Sequence, residues 1–194
     1  REVNVAACLA RGIPILRRCS GGGTVLQGPG SLNYTLVRKI EENGPFHNVS
    51  IANQYIMRKN RTALANLLPK SEAGNWKPEI AIRGHTDLAI GDRKFSGNSQ
   101  RRHKRALLFH GTFLLNFDLA LVSDLLLMPS KQPDYRESRS HSEFLMNLDL
   151  TADAVKRALQ NAWKGTSLLE NLPRDQIAVL AQGKYATAEW NRKF

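Results

Sequence analysis

Two arginines stand immediately upstream of a serine and three consecutive glycines in RRCSGGGTVLQGPGSLNY, residues 17–34. Glycines without Cβ atoms let backbone N–H groups converge, and converging donors bind anions. The guanidinium groups of Arg17 and Arg18 add donors that match phosphate or carboxylate in a bidentate way. With Ser20, Gly21, Gly22 and Gly23 they form a candidate anion-binding loop. The segment is neither a P-loop, since no Lys-Ser/Thr pair follows the glycines, nor a GxGxxG that opens a helix. A glycine triplet alone is more often a turn. A second constellation is GHTDLAIGDRKFSGNSQ, residues 84–100. Here Lys94 follows a tight turn, Asp87 lies across the hairpin, and the small residues Ser96 and Gly97 leave room for a lysine to reach inward as a point charge. Most lone lysines are solvated. The third is FHGTFLLN, in which His110 and Thr112 bring polar atoms into an apolar run. A single histidine there more often serves the core.

These residues need a scaffold. The chain has 194 residues, 42% of them hydrophobic and 23% charged, which suits one globular domain with a true core. IPILRR (13–18) reads as a strand entering the glycine loop, and LNYTLVRKI (32–40) as one leaving it. Ser50 is placed to cap a helix running through Leu68, and KSEAGNWKP (70–78) reads as a loop. EIAIRG and DLAIGD read as short strands, with a Gly91-Asp92 hairpin turn before RKFSG. RALLFHGTFLLNF (105–117) reads as a long strand. Its alternation gathers Leu107, Phe109, Phe113, Leu115 and Phe117 on one face, leaving His110, Thr112 and Asn116 on the other, as in a ligand-pocket wall. DLALVSDLLLM reads as a short helix and residues 128–141 as a surface loop. TADAVKRALQNAWK (151–164) reads as a helix capped by Thr151, with an apolar stripe of Val155, Ala158, Leu159, Ala162 and Trp163. The tail starts helical and breaks near Gly183. Many strands and few helices, not strictly alternating, imply an α+β domain with helices against a mixed sheet.

The formal net charge is +11, which calls for an acidic partner: nucleic acid, an anionic membrane or an acidic protein. No apolar run is long enough to span a bilayer, and no secretory signal is visible. Two cysteines, Cys8 and Cys19, form neither a disulfide framework nor a zinc pattern, so a reducing, cytoplasmic setting is expected. The opening REVNVAACLARG reads as mid-domain, as if an N-terminal segment were missing.

Taken together and in order, RRCSGGGTVLQGPGSLNY, TDLAIGDRKFSGNSQ and HGTFLLNFDL resemble the lipoate-protein ligase A family, within the biotin/lipoate ligase and octanoyltransferase superfamily. KYATAEWN in the tail resembles the segment that closes such catalytic domains. The resemblance covers nearly the whole chain. It implies a single catalytic domain over residues 1–194, related to class II aminoacyl-tRNA synthetases: a mixed β-sheet with flanking helices and no C-terminal accessory domain. It further implies ATP, Mg²⁺ and lipoate as ligands, with lipoyl-adenylate formed and its acyl group passed to a lysine of an acidic lipoyl domain. That acceptor would be the E2 subunit of a 2-oxoacid dehydrogenase or the glycine-cleavage H protein. Lys94 matches the family's catalytic lysine. Arg17, Arg18, Ser20, Gly21, Gly22, Gly23, Asp87, Ser96 and Gly97 fall in the nucleotide- and adenylate-binding segments. Leu26, Asn33, Leu108, His110, Gly111 and Thr112, together with Leu114, fall beside the acyl chain. No protein-held metal site is implied.

The chain departs from that pattern in two places. Gln27-Gly28 stands where family members usually carry His-Asp, and Thr86 where Asn usually precedes the acidic residue, which leaves the choice of acid open. Members without an accessory domain can need a partner protein to make the adenylate, or only transfer a preformed acyl group. A cysteine-thioester octanoyltransferase is the nearest alternative, but no cysteine follows Cys19, and Ser130 stands where one such family has its nucleophile. Biotin ligases carry a different, GRGR-like loop. A degenerate homologue that binds adenylate without turnover is a further reading. A basic nucleic-acid binder fits the charge and RKFSGNSQRRHKR, yet the chain shows no recognition signature and no basic strand interleaved with aromatics.

Overall fold

The computed structural model describes residues 2–69 and 78–192, so nearly all of the 70–78 loop expectation lies outside the described residues. Five strands make one sheet: β1 (Ser31–Lys39), β2 (Ile80–Arg83), β3 (Asp87–Ile90), β4 (Arg93–Arg102) and β5 (Ala106–Leu114). Their spatial order is β1-β5-β4-β3-β2. Every neighbouring pair is antiparallel, and a parallel pairing occurs as an isolated bridge between Lys94 and Leu145. The helices are α1 (Val5–Ala10), α2 (Val49–Ala65), α3 (Leu119–Leu125), α4 (His141–Phe144), α5 (Ala152–Trp163), α6 (Arg174–Leu180) and α7 (Ala188–Asn191). This is the expected α+β class.

The core lies on one face of the sheet. Leu107, Phe109 and Phe113 from β5 and Leu88 from β3 pack with Ile56, Met57 and Leu64 of α2 and Val155 and Leu159 of α5. Each of the two phenylalanines is fully buried, worth about 1.5–3 kcal/mol by removal from water. The period-two pattern of β5 thus delivers its apolar face to the helices. Its other face, with Leu108, His110, Thr112 and Leu114, stays half-buried. Ile90 pairs with Arg93, so Gly91-Asp92 is the two-residue turn expected. Thr151 Oγ1 accepts from the Ala154 N–H and starts α5.

Three elements differ from the reading of the sequence. Residues 13–18 form no strand. Their backbone bonds go elsewhere: the Ile13 N–H donates to the Cys8 carbonyl, the Arg17 N–H donates to Asn191 Oδ1 of the tail, and Trp190 Nε1 donates to the Arg17 carbonyl. Helix α2 is capped by Asn48 rather than Ser50, because the Asn48 side-chain oxygen accepts from both Ser50 and Ile51 N–H groups. The 128–141 segment carries a 3-10 turn over Asp134–Arg136 and buries Arg136. That guanidinium donates to the Arg139 carbonyl and lies 4.7 Å over the Phe144 ring, so its cost of burial is offset locally. The tail is helical up to Leu180, continues as a π-helical turn over Ala181–Tyr185, and ends in α7.

Candidate active site

Lys94, Asp87, Gly97, His110, Thr112 and the glycine loop meet on the sheet face opposite the core, and a single irregularity puts Lys94 there. Leu88 pairs with Ser96 and Ala89 with Lys94, so Phe95 is an extra residue on β4, a β-bulge. A one-residue slip exchanges the faces of a strand. Strict alternation would place Lys94 with Ser96 and Asn98, toward the core. The bulge sends Phe95 into the core instead and turns Lys94 onto the side of Gly97. There Lys94 Nζ meets Asp87 Oδ1 at 2.8 Å, with Lys94 25% and Asp87 14% exposed. The second oxygen, Asp87 Oδ2, accepts from the Tyr135 hydroxyl at 2.8 Å.

The glycine loop is fastened to the same face. Ser99 Oγ donates to the Gly21 carbonyl at 2.9 Å, and Ser20 Oγ and His110 Nε2 share a hydrogen bond at 2.5 Å. Ser99 is two positions beyond Gly97 on β4, about 7 Å along the strand. The loop and the lysine therefore border a common surface, floored by Gly97, Thr112 and His110. Arg18 folds back into the loop. Its Nη2 donates to the carbonyls of Gly21 at 2.6 Å and Gly23 at 2.8 Å. Burial draws the Arg18 guanidinium below its usual range, with the Glu2 charge acting the other way. Gly22, between those carbonyls, has φ +93°, a conformation that disfavours side chains. Glu2 closes the far side, accepting from the Thr24 N–H at 2.8 Å, and this bond holds its carboxyl below the ordinary value. Arg17 faces the tail, its guanidinium 4.8 Å over the Trp190 ring.

Beside the loop, Gln27, Asn33 and Thr112 close a small polar ring: Asn33 Nδ2 donates to Gln27 Oε1 at 3.1 Å, and Thr112 Oγ1 to Asn33 Oδ1 at 2.6 Å. Gln27 thus reaches the sheet face. Leu26 and Leu114 pack against Phe117, Val122 and Leu126 in a second apolar cluster at this end. Burial first, then the Arg18 charge, lower the His110 imidazole below its ordinary value, so it is neutral at pH 7.

Ser96 and Gly111 are placed on the core side. Ser96 is buried, and its Oγ accepts from Asn98 Nδ2. Gly111 has no side chain because Asn98 Oδ1 fills that space. Asn98 there accepts from the Tyr34 hydroxyl, which accepts from Asn60 Nδ2, whose Oδ1 accepts from Trp163 Nε1. Reasoning from sequence missed Ser99, Glu2 and Tyr135. Ser99 was the most accessible of these, lying one strand period beyond Gly97. A groove of about 1070 Å³ between α2 and α5 is lined by none of the candidate residues.

Among the described residues no group of three or more His, Cys, Asp or Glu side chains is placed to hold a metal ion. No helix among the described residues is long and apolar enough to cross a membrane.

Known proteins share this fold. Among solved structures, a bipartite lipoate protein ligase from Thermoplasma acidophilum, studied with its E2 lipoyl domain, superposes with a TM-score of 0.76 at 22% identity, covering 100% of this chain and 77% of the other. A lipoate-protein ligase A bound with ATP superposes with a TM-score of 0.72 at 25% identity, over 98% of this chain and 76% of the other. The fold is that of lipoate-ligase catalytic domains. The model of the lipoyl protein ligase A/B catalytic domain matches residues 1–164, and the chain belongs to that family. Lipoate-protein ligase 1 of Staphylococcus aureus is 28% identical over 98% of this chain. Lipoate-protein ligase A subunit 1 of T. acidophilum is 26% identical over 98% of it. Octanoyltransferase LipM of Bacillus subtilis is 25% identical over 100% of it. The chain spans 57% of the S. aureus relative and 76% of the T. acidophilum one.

Proposed function

We propose that this chain is the catalytic part of a lipoate-protein ligase, which activates lipoate or octanoate with ATP and transfers the acyl group to a lysine of an acidic lipoyl domain. The observation that carries the reading is the Lys94 ammonium, seated on Asp87 over Gly97, on the sheet face to which Ser99 and His110 fasten the glycine loop. Two anions must meet in the first step. A carboxylate oxygen bonds to the α-phosphorus of ATP and pyrophosphate leaves. The ammonium of Lys94 neutralises part of both charges and aligns them, while the amides of Ser20 to Gly23, in a loop that Arg18 braces from within, supply further donors. In the second step the acceptor amine bonds to the acyl carbonyl carbon, AMP leaves, and the amine sheds a proton. Lys94 then steadies the negative charge that develops on the carbonyl oxygen. Leu26, Leu108 and Leu114, with the polar ring of Asn33 and Thr112, form one side of the acyl site. Mg²⁺ enters with ATP as part of the substrate, held largely by phosphate oxygens and water.

The net charge of +11 favours an acidic acceptor, on E2 or on a glycine-cleavage H protein. The matched T. acidophilum relative is named as one subunit, which supports a separate accessory protein as a partner of this chain. The free thiols of Cys8 and Cys19 suit a reducing, cytoplasmic setting. The likeness to LipM favours a second reading, transfer of a preformed acyl group without activation. A thioester route lacks support: Ser130, at the nucleophile position of one such family, has its N–H and hydroxyl engaged by Glu2.

The test is to incubate the chain with lipoate or octanoate, ATP, Mg²⁺ and a lipoyl domain, and to weigh the domain. Repeating it with preformed acyl-adenylate separates activation from transfer. Lys94→Ala should lower transfer by about 10²–10³, the scale for one preorganised donor. A Lys94→Ala variant as active as the parent removes the lysine from the mechanism.

A further inference from the structure

We propose that Tyr135 is a positioning residue for Lys94, acting through the Asp87 carboxylate. The inference rests on the acyl-transfer reading above for its consequence, but not for its geometry. A carboxylate beside a lysine can rotate and present either oxygen. Here the Tyr135 hydroxyl donates to Asp87 Oδ2 at 2.8 Å, and Lys94 Nζ takes Oδ1 at 2.8 Å. With one oxygen fixed by the phenol, the carboxylate plane is set, and so is the point from which the ammonium reaches over Gly97.

Tyr135 is itself held from several sides. Its carbonyl accepts from Arg139 Nη2 at 2.6 Å, and its ring packs at 5.1 Å from that of Phe144. Across the β2–β3 turn, a side chain at Gly84 would come within 3.8 Å of the ring. Burial foremost, then the adjacent Asp87 charge, push the phenol far above its usual range, so it remains a donor at any working pH. The Arg83 guanidinium lies 6.0 Å from the ring centre, outside the hydrogen-bonded line. A tyrosine supported this fully, with its hydroxyl spent on the partner of the central lysine, is placed to orient that lysine.

Tyr135→Phe keeps the ring and removes the donor, so the fold and its Tm should be retained. Two readouts are taken. The first needs no activity: competitive acetylation by acetic anhydride, read by mass spectrometry as the rate at Lys94 relative to exposed Lys104. It should rise about fivefold in Tyr135→Phe, the scale of one lost hydrogen bond. The second is transfer from preformed lipoyl-adenylate to a lipoyl domain, in which kcat should fall about tenfold with KM held within about twofold, since the loss lies in orientation. Incorporating 3-fluorotyrosine at 135, which keeps a hydroxyl donor, should restore both. Unchanged acetylation of Lys94 overturns the proposal whether or not the parent transfers acyl groups, and so does faster acetylation with undiminished kcat. Faster acetylation in a protein whose parent form transfers nothing leaves the positioning link standing and sinks the acyl-transfer reading instead.

Discussion

Gly97 makes the room that Lys94 occupies: a Cβ on residue 97 would stand 2.9 Å from the lysine Nζ and 3.0 Å from its Cε. The atoms that would have to give way are the far end of a flexible chain, not backbone. Gly97→Ala should therefore leave the fold intact, with Tm shifted by no more than about 2–4 °C, the effect of a sub-kilocalorie change. The lysine tip, however, must move by roughly half an ångström or more. Displacements of about 1 Å at a reacting group cost up to about 10²-fold, so transfer from acyl-adenylate should fall about 10- to 100-fold. Parental kcat in a correctly folded Gly97→Ala would mean that the observed seat of Lys94 is not the one used in the reaction.

Gly111 faces the other way, and its substitution should strike stability. A Cβ there would overlap Asn98 Oδ1 and lie 3.0 Å from the Gly97 carbonyl oxygen. Asn98 is committed on both ends, accepting from Tyr34 and donating to the Thr86 carbonyl at 2.6 Å. Overpacking costs about 1–3 kcal/mol, and a buried polar group left without its partner about as much again. Gly111→Ala should thus lower unfolding free energy by about 2–5 kcal/mol in urea titration, and Asn98→Ala combined with it should recover part of the loss by removing the clash. Strict additivity of the two substitutions would show that Asn98 does not fill the space beside Gly111.

What the sequence disclosed follows the range of the forces involved. The β5 face and helix α5 were legible because alternation and the i, i+3, i+4 pattern are local. The Gly91-Asp92 turn was legible because turn chemistry is local too. The face of Lys94 was not, since alternation alone assigns it to the core side with Ser96, and the Phe95 bulge that reverses this is a property of the β3–β4 pairing. Arg17 and its neighbours read as a strand from Ile-Pro-Ile-Leu, but their partners are Trp190 and Asn191, far along the chain. Tyr135 lay in a polar, proline-containing stretch that gave no hint of an inward-facing phenol. The candidate site was legible as residue types and as a family resemblance. Its lattice of hydrogen bonds was not.

The neutral state of His110 gives a dependence on pH. Burial and the Arg18 charge hold its folded pKa below the ordinary 6.5. His141 is lowered too, by burial foremost and more weakly by the charge of Arg136. In both cases the unfolded chain binds the proton more readily. Stability is then fully present above about pH 6.5 and is lost as pH falls through that value toward the folded pKa values. Tm measured from pH 7.5 to 5 should decline across this window. His110→Gln, which keeps a neutral hydrogen-bonding group for Ser20 but cannot gain the charge, should flatten part of the decline. A variant with the parental slope would show that His110 carries none of it.

Trp190 joins the tail to the glycine loop, and the consequence is dynamic. Its Nε1 donates to the Arg17 carbonyl at 2.9 Å, its ring lies under the Arg17 guanidinium, and the next residue, Asn191, accepts from the Arg17 N–H at 2.8 Å. None of these groups belongs to the main core, so Trp190→Ala should leave global stability within about 1 kcal/mol, the scale of an exposed cation–π contact. It should free the segment before the loop. Amide exchange of a peptide spanning residues 13–24 should accelerate about tenfold or more, while peptides from β5 keep their protection. Trp190→Phe retains a ring for Arg17 but not the indole donor, and should fall between the two. Because Arg18, Ser20 and the glycines hang on that segment, KM for ATP or the acid should rise in the same order, alanine above phenylalanine above parent. Unaltered exchange at 13–24 in Trp190→Ala would show that the loop holds its shape without the tail, through Glu2, Ser99 and His110 alone.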